Sequence, residues 1–330
     1  MKRRHFLVAV GSAVTCPLAV LAQRADRVRR IGVLMNTTSD DPAGQAGNAA
    51  FAQGLQQLGW EVGFNVRIDT RWGAGDTERY RKYATELVAL APDVILATAS
   101  SIVAHLQQAS RTVPIVFVTT IDPVGGGLVA SLARPGSNAT GFTSFEFSMN
   151  AKLLELLREV APGVTRVAVV RDPFVSAGSG GFAAIQTAAV SFKADLTPVG
   201  THDADEIERG ITDFAREPNT GLIVVGPPSS VAPTNRDLIV GLAARYRLPT
   251  VYATLVFVSR GGLISYGSDS IIEYRRAAGY VDRILRGEKP ADLPVQTPIK
   301  YELVINTKTA KAIGITIPPS LLARADEVIE

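Results

Sequence analysis

Apolar runs and helical stripes alternate along most of the chain. The runs Arg30–Met35 and Asp93–Thr98 are short and almost continuously apolar, as in strands that are buried on both faces of a parallel sheet. Between them, Phe51, Leu55 and Leu58 recur at the spacing of one face of an amphipathic helix. This alternation predicts β-α-β units and therefore an α/β fold with parallel strands.

The alternation stops at the Gly-, Pro- and Asn-rich segment ARPGSNATG (Ala133–Gly141) and then starts again. Strand-like runs return at Arg166–Arg171, Leu222–Val225 and Pro249–Tyr252, with helical patterns between them. Each series is about as long as one domain. The sequence therefore predicts two doubly wound, Rossmann-like lobes.

Two further elements follow the second series. A helical stripe contains Tyr274, Ala278 and Val281, and a last strand is predicted at Tyr301–Asn306. Such lone elements are placed most simply if the chain crosses back to the first lobe and then returns. We therefore expect three hinge crossovers, near residues 141–143, 266–268 and 293–297, with lobe 1 formed by residues 28–141 and 268–292 and lobe 2 by residues 142–267 and 293–330.

The first 22 residues have the pattern of an export signal. Lys2, Arg3 and Arg4 precede an apolar run from Phe6 to Ala22, which is too short and too interrupted for a membrane span. Small residues at the end of the run predict cleavage by signal peptidase near Ala22. The arginine pair is also typical of twin-arginine export, and an ordinary secretory signal with two arginines is the alternative.

Removal of this segment changes the charge of the chain. The full sequence has 34 basic and 31 acidic residues, and three of the basic residues lie in the segment, so that 31 of each sign remain. A neutral chain gives no basic surface of the kind that binds nucleic acid. The one cysteine, Cys16, is also in the segment, so the mature chain would have no thiol for a disulfide. Lipoprotein attachment at Cys16 is the alternative, and its neighbours fit that signal poorly.

Catalytic motifs are scarce in the rest of the chain. Only His105 and His202 remain beyond the signal segment, and without cysteine they do not form a typical zinc ligand set. The glycine-rich stretches at residues 125–127 and 178–181 match neither the dinucleotide-binding nor the P-loop pattern. We therefore expect no catalytic residues, no metal and no cofactor.

Polar candidates for ligand contact follow from the rule that open parallel sheets bind ligands beyond the carboxyl ends of their strands. Thr98, Ser100 and Ser101 join a strand end to a helix start, where free N–H groups favour a carboxylate. Capping of the helix by one of the serines is the alternative. Asp122 and Asp172 each precede a proline, and their carboxylates would either hold a ligand ammonium group or cap the turn.

Aromatic residues near strand ends would either line a pocket for an apolar side chain or pack in the core. Trp72, Phe142, Tyr252 and Tyr266 are of this kind, and Tyr252 is favoured because it also offers a hydroxyl. The predicted ligand contacts are Thr98, Ser100, Ser101, Thr119 and Asp122 from lobe 1, Phe142, Asp172 and Tyr252 from lobe 2, and Asp269 just past the crossover at residues 266–268.

The segments RIGVLMNTTSDDP, FNVRIDTRWGAGD and IDPVGGGLVASLARPGSNATGFTSF and the whole sequence from LISYGSDS onward are similar to those of a known family. In these segments the chain resembles the ABC transporter substrate-binding family that is related to tryptophan and tyrosine uptake, and the resemblance extends over essentially all of the mature chain. It implies a type I periplasmic binding protein with two lobes, three hinge strands and a ligand in the cleft, without catalysis. We accordingly expect a monomeric receptor that delivers a small solute to an inner-membrane ABC permease.

The ligand and the partner stay open at this point. An amino acid fits the carboxylate and ammonium contacts, and aromatic acids or purine-like compounds are alternatives. A periplasmic sensor subunit that docks to a kinase and an enzyme on the same scaffold are the alternative functions. Gene regulators that share this fold carry a DNA-reading helical domain ahead of the first lobe, where this chain has its export signal.

Overall fold

The computed structural model of the protein describes residues 27–173, 176–226, 231 and 233–330. The predicted export signal, residues 1–22, lies outside the described residues. Within these ranges no helix has both the length and the apolar character that crossing a membrane requires.

The first sheet has five parallel strands in the order β2-β1-β3-β4-β5. Asp41 and Asp76 begin its first two helices, because their carboxylates accept hydrogen bonds from the first free N–H groups of each helix. The elements are β1 (Arg29–Met35), α1 (Pro42–Gln57), β2 (Val66–Trp72), α2 (Thr77–Ala89), β3 (Val94–Thr98), α3 (Ser100–Ala109), β4 (Ile115–Ile121) and β5 (Ala139–Phe145).

The second sheet has seven strands in the order β12-β11-β10-β9-β8-β6-β7. The part of the chain that forms this sheet and its helices begins with α4 (Met149–Val160), β6 (Arg166–Val170), α5 (Ser176–Phe192), β7 (Asp195–Val199), α6 (Ala204–Ala215), β8 (Thr220–Val224) and α7 (Pro233–Arg245). It continues with β9 (Thr250–Tyr252), α8 (Leu255–Val258) and β10 (Ile264–Ser268). It ends, after an excursion to the first sheet, with β11 (Tyr301–Asn306), α10 (Thr307–Ile313), α11 (Pro319–Leu322) and β12 (Glu327–Ile329).

That excursion is helix α9 (Ser270–Leu285), which packs on α1 and on the first sheet. Its apolar face, with Tyr274 and Val281, shares one core with Ile31 and Phe51. The chain then returns through a 3₁₀ turn at Pro290–Asp292 to β11. The chain thus passes between the two sheets three times, and the predicted α/β fold with two mostly parallel sheets is confirmed.

Strand β11 differs from the expected parallel arrangement. It pairs antiparallel with β10, whereas β12 beside it runs parallel to β11. The difference follows from the path of the chain, because β11 enters the second sheet on return from α9 and not from a β-α-β crossover on its own sheet. Strand β12 has only three residues, with no apolar run that would predict it.

Strand β5 is the second difference, and it changes the position of Phe142. The sequence places Phe142 on the second lobe, but β5 pairs with β4 through Phe145, so that Phe142 belongs to the first sheet. Its side chain is buried in that core, with its ring centre 4.8 Å from that of Tyr280. The stretch ATGFTSF has no continuous apolar run, and Gly141 is needed where it stands: its φ is 153°, and a Cβ would lie 2.0 Å from the Phe117 carbonyl oxygen.

Candidate functional site

A cavity of about 340 Å³ lies where the two sheets face each other. The first sheet contributes Thr119 near the end of β4 and Ser144 near the end of β5. The second sheet contributes Thr254, which follows β9, and Gly267 in β10. This is the edge at which open parallel sheets bind their ligands, so the position of the cavity agrees with the rule from which the candidates were chosen.

The wall of the cavity combines an apolar surface with several polar groups. The pattern suits a small molecule with an apolar part and a few hydrogen-bonding groups. The apolar part of the wall contains Pro42, Ala43, Ala46, Ile121, Ala253, Leu255, Val256, Ile271 and Val304, and the hydroxyl groups belong to Thr119, Ser144, Thr254, Ser259, Ser265, Ser268 and Ser270.

Three charged side chains line the cavity, and each already has a partner. Arg260 Nε lies 2.9 Å from a carboxylate oxygen of Asp237. Glu302 accepts a hydrogen bond of 2.9 Å from the Lys300 ammonium group. The Asp269 carboxylate accepts a hydrogen bond of 2.8 Å from the Ile271 N–H and so caps the start of α9.

A fourth charged residue, Glu273, lies buried behind this wall in the first turn of α9. Its Oε2 accepts hydrogen bonds from the Thr119 N–H at 3.2 Å and from the Ser144 hydroxyl at 2.7 Å. The Ser268 hydroxyl lies 3.1 Å from the other oxygen, Oε1, and 2.8 Å from the Ser144 carbonyl oxygen, so its one proton is shared between these two acceptors. Burial raises the pKa of Glu273 to about 7, although these hydrogen bonds act in the opposite direction.

A buried ion pair joins the two sides next to the cavity. Arg236 Nη1, on α7, lies 3.0 Å from Asp41 Oδ2, at the start of α1. Both side chains are almost completely excluded from solvent. The next residues after Asp41, which are Pro42 and Ala43, line the cavity, so the pair stands at its edge.

Thr119 and Asp269 are the two predicted contacts that line the cavity. Thr119 has a φ of 52°, in the left-handed region that a β-branched residue rarely adopts. Backbone strain of this kind concentrates at functional sites. Here it accompanies the hydrogen bond from the Thr119 N–H to the buried carboxylate of Glu273.

The predicted carboxylate site at the start of α3 has a different role. Thr98 is completely buried and accepts a hydrogen bond of 2.8 Å from the Asn36 N–H. The Ser100 hydroxyl donates to the Ile121 carbonyl and accepts from the Ile121 N–H, so it ties the start of α3 to the end of β4. Neither residue lines the cavity, and neither does Ser101. The helix cap is Ala99, without a side-chain hydrogen bond, so neither serine caps the helix.

The remaining four candidates also lie outside the cavity lining. Asp122 accepts a hydrogen bond of 2.8 Å from the Gly125 N–H, which is the turn-capping alternative. Tyr252 is completely buried and stacks on Phe257, with ring centres 4.9 Å apart. Phe142 lies in the core of the first sheet, and Asp172 is half-buried at the end of β6.

Sequence reasoning missed Asp41, Arg236 and Glu273. Asp41 had a usable signal, because an aspartate followed by proline is typical of a helix start. Arg236 and Glu273 had none, since a charged residue in a helical pattern ordinarily faces solvent. Only the packing of helices from both sheets around the cavity buries them.

Among the described residues, no three His, Cys, Asp or Glu side chains are grouped so that they could hold a metal ion.

Known proteins with similar sequences and structures include a tyrosine-binding protein and a domain that was solved with bound tryptophan. The tyrosine-binding protein of Clostridioides difficile (strain R20291) is 22% identical over 293 residues, which are 89% of this chain and 84% of that protein. A domain from Streptococcus pneumoniae, solved in complex with L-Trp, superposes with a TM-score of 0.83 at 24% identity, over 91% of this chain and 99% of that one. A conserved domain protein from Vibrio cholerae gives a TM-score of 0.82 at 28% identity, over 92% and 100% of the two chains.

The two-sheet architecture is that of type I periplasmic binding proteins. Solved structures of such proteins share the fold of this chain at low sequence identity. The sequence profile of one family matches almost the whole described chain, from residue 31 to residue 329. The chain therefore belongs to the ABC transporter substrate binding protein family.

Proposed function

We propose that this protein is the solute-binding component of an ABC importer and that it captures an α-amino acid with an aromatic side chain. The observation that carries this proposal is the cavity between the two sheets, to which strand ends of both sheets contribute. A ligand that contacts both sides binds the closed arrangement more tightly than an open one, so binding is coupled to closure.

The chemistry of the wall supports an amino acid with an apolar side chain. The wall offers an apolar surface from α1, α8 and α9, together with hydroxyl groups and charges of both signs. Thr254 lines the cavity, and its Oγ1 is buried and has no hydrogen-bond partner among the described residues. A buried polar atom of this kind is satisfied when a ligand supplies the partner. Two of the similar proteins support an aromatic amino acid, since one is a tyrosine-binding protein and the other was solved with L-Trp.

The hinge lies where the chain passes between the sheets. Lobe 1 consists of residues 28–145 and 268–292, because β5 pairs with β4 as far as Phe145, and lobe 2 consists of residues 146–267 and 293–330. Near the first and third passages, the Thr143 N–H donates to the Gln296 carbonyl at 2.9 Å. Thr119 and Asp269 are ligand contacts in this arrangement, and the ion pair of Asp41 and Arg236 stabilises the closed form.

The family membership supports the following cellular setting. The protein is exported to the periplasm, its signal is cleaved near Ala22, and it works as a monomer that hands its solute to an inner-membrane permease. It catalyses no reaction and needs no cofactor. Fractionation that left the full-length chain in the cytoplasm would contradict this setting.

A thermal-shift screen of the twenty amino acids tests the proposed function. A ligand that binds only the folded protein raises its stability by about 2.7 kcal/mol at a hundredfold excess over Kd. L-tyrosine, L-tryptophan or L-phenylalanine is expected to give the largest shift. The proposal fails if no amino acid shifts the transition at millimolar concentration.

A further inference from the structure

We propose that Glu273 supplies the negative charge that holds the ammonium group of the bound amino acid. This inference rests on the proposed function, and it assigns the part of the ligand that the apolar wall cannot recognise. Glu273 acts from behind the wall, through the hydroxyl groups that separate its carboxylate from the cavity.

Three hydrogen-bond donors connect the Glu273 carboxylate to the wall of the cavity. All three groups that donate hydrogen bonds to it, the Thr119 N–H and the hydroxyls of Ser144 and Ser268, belong to residues that line the cavity. A carboxylate accepts about four hydrogen bonds, so these three donors do not saturate it, and the ligand ammonium group would lie in the cavity in front of the serine hydroxyls. Because both serine hydroxyls can also accept, an ammonium group at this position would find several acceptors at once.

The charge of Glu273 lacks a counter-charge within the described residues. No ion pair involves the Glu273 carboxylate among these residues, whereas the two carboxylates on the wall already have partners. Glu302 pairs with Lys300, and Asp269 caps α9. A buried carboxylate is costly unless a cation or a proton neutralises it. An ammonium group from the ligand is the cation that this cavity is expected to take.

The groups that face Glu273 support the same conclusion. Asp269 is a like charge that raises the pKa of Glu273 further, after burial. Glu273 also contributes to the raised pKa values of the Tyr274 and Tyr301 hydroxyls, after burial. None of these neighbours is a cation. A bound ammonium group would lower the pKa of Glu273 from about 7, so binding near neutral pH would release part of a proton.

Titration calorimetry with matched ligands tests the inference. The probes are L-tyrosine with 3-(4-hydroxyphenyl)propionate, and L-tryptophan with indole-3-propionate, where each second compound lacks only the amino group. Wild-type protein should bind the amino acid about 10- to 100-fold more tightly than its partner compound, because a hydrogen-bonded charge is lost. In Glu273→Gln this preference should fall to about threefold or less, whereas the control Glu86→Gln, on α2 and outside the cavity lining, should keep it.

A second measurement needs no variant. Binding of the amino acid to wild-type protein at pH 7 should give different heats in phosphate and in Tris, because the buffer takes up the released proton. Equal heats in the two buffers, or an unchanged preference in Glu273→Gln, would overturn the role of Glu273 while the protein remained an amino-acid receptor. If wild-type protein bound the compounds without the amino group as tightly as the amino acids, the ammonium position itself would be refuted. If it bound none of the four, the proposed function would fail together with the inference.

Discussion

Asp41 and Arg236 are 195 residues apart in the sequence, and a carboxylate oxygen of the first lies 3.0 Å from a guanidinium nitrogen of the second. One stands at the start of α1 beside the first sheet and the other on α7 beside the second. Both charges are desolvated, so each depends on the other for its stabilisation. Separation of the two sheets would break the pair and return both side chains to water. The pair therefore stabilises the closed arrangement.

The Asp41→Asn variant is expected to favour the open arrangement. Asparagine retains the cap of α1 but removes the charge opposite Arg236, and an unpaired buried charge costs about 3–5 kcal/mol. The ligand-free variant should have a larger radius of gyration in small-angle scattering and at least about tenfold weaker solute affinity.

Asp76→Asn is the matched control for this experiment. Asp76 caps α2 in the same way, with its carboxylate on the Glu78 and Arg79 N–H groups, but its side chain is exposed. If both variants had the same radius of gyration and the same affinity, the pair would not hold the sheets together.

The Ser100→Ala variant should lose stability without losing ligand. The hydroxyl bonds both backbone groups of Ile121, and its removal leaves them unsatisfied at a cost of about 1 kcal/mol. Urea unfolding measures the loss of stability, and calorimetry measures the affinity. A tenfold loss of affinity with unchanged stability would return Ser100 to the binding site.

The free energy of unfolding should depend on pH through the titration of Glu273. Its folded pKa of about 7 lies above the ordinary value of 4.5, so the ligand-free folded protein binds more protons than the unfolded chain between these values. The contribution of Glu273 to stability is therefore complete below about pH 4.5 and is lost as the pH rises through about 7.

Comparison with Glu273→Gln isolates this contribution, because the other titrating groups are common to both proteins. The melting temperature of the wild type should fall relative to that of the variant between pH 5 and pH 8. A constant difference across this range would show that Glu273 does not titrate there.

Two glycines offer a matched pair of substitutions. A Cβ on Gly267 would lie 2.1 Å from the Ala253 carbonyl oxygen at the cavity wall, whereas a Cβ on Gly279 meets nothing within 4 Å. Gly267→Ala should therefore cost about 1–3 kcal/mol and weaken ligand binding. Gly279→Ala in α9 should stabilise the protein by about 0.5–1 kcal/mol, because alanine favours the helix. Equal unfolding midpoints in urea would refute the close contact at Gly267.

Much of the fold could be predicted because buried parallel strands have continuous apolar sequences. β3 and β4 are of this kind, and β11 has the predicted bounds Tyr301–Asn306. β5 was missed because glycine, threonine and serine in ATGFTSF depend on pairing with β4 rather than on local pattern. The antiparallel direction of β11 depends on the path of the chain through α9, which no local pattern encodes.

The site was predicted less well than the fold, and the reason is physical. The strand-end rule locates the loops that reach the cavity, as Thr119 and Asp269 show. It does not say which side chain of a loop points inward. Ser100 and Asp122 have the chemistry of ligand contacts, but their hydrogen bonds go to the backbone nearby. Glu273 reaches the site only because α9 returns from the second sheet to the first.

The affinity of two leucine variants for L-tyrosine and L-tryptophan tests the central claim most directly. Leu255 and Leu58 are both partly exposed, at 44% and 39%, but only Leu255 lines the cavity. Titration calorimetry should show that Leu255→Asp weakens amino-acid binding at least about tenfold, because its carboxylate would lie beside the apolar side chain of the ligand. Leu58→Asp should bind as the wild type does. Wild-type affinity in Leu255→Asp would contradict the account, because the amino acid would then bind somewhere other than this cavity.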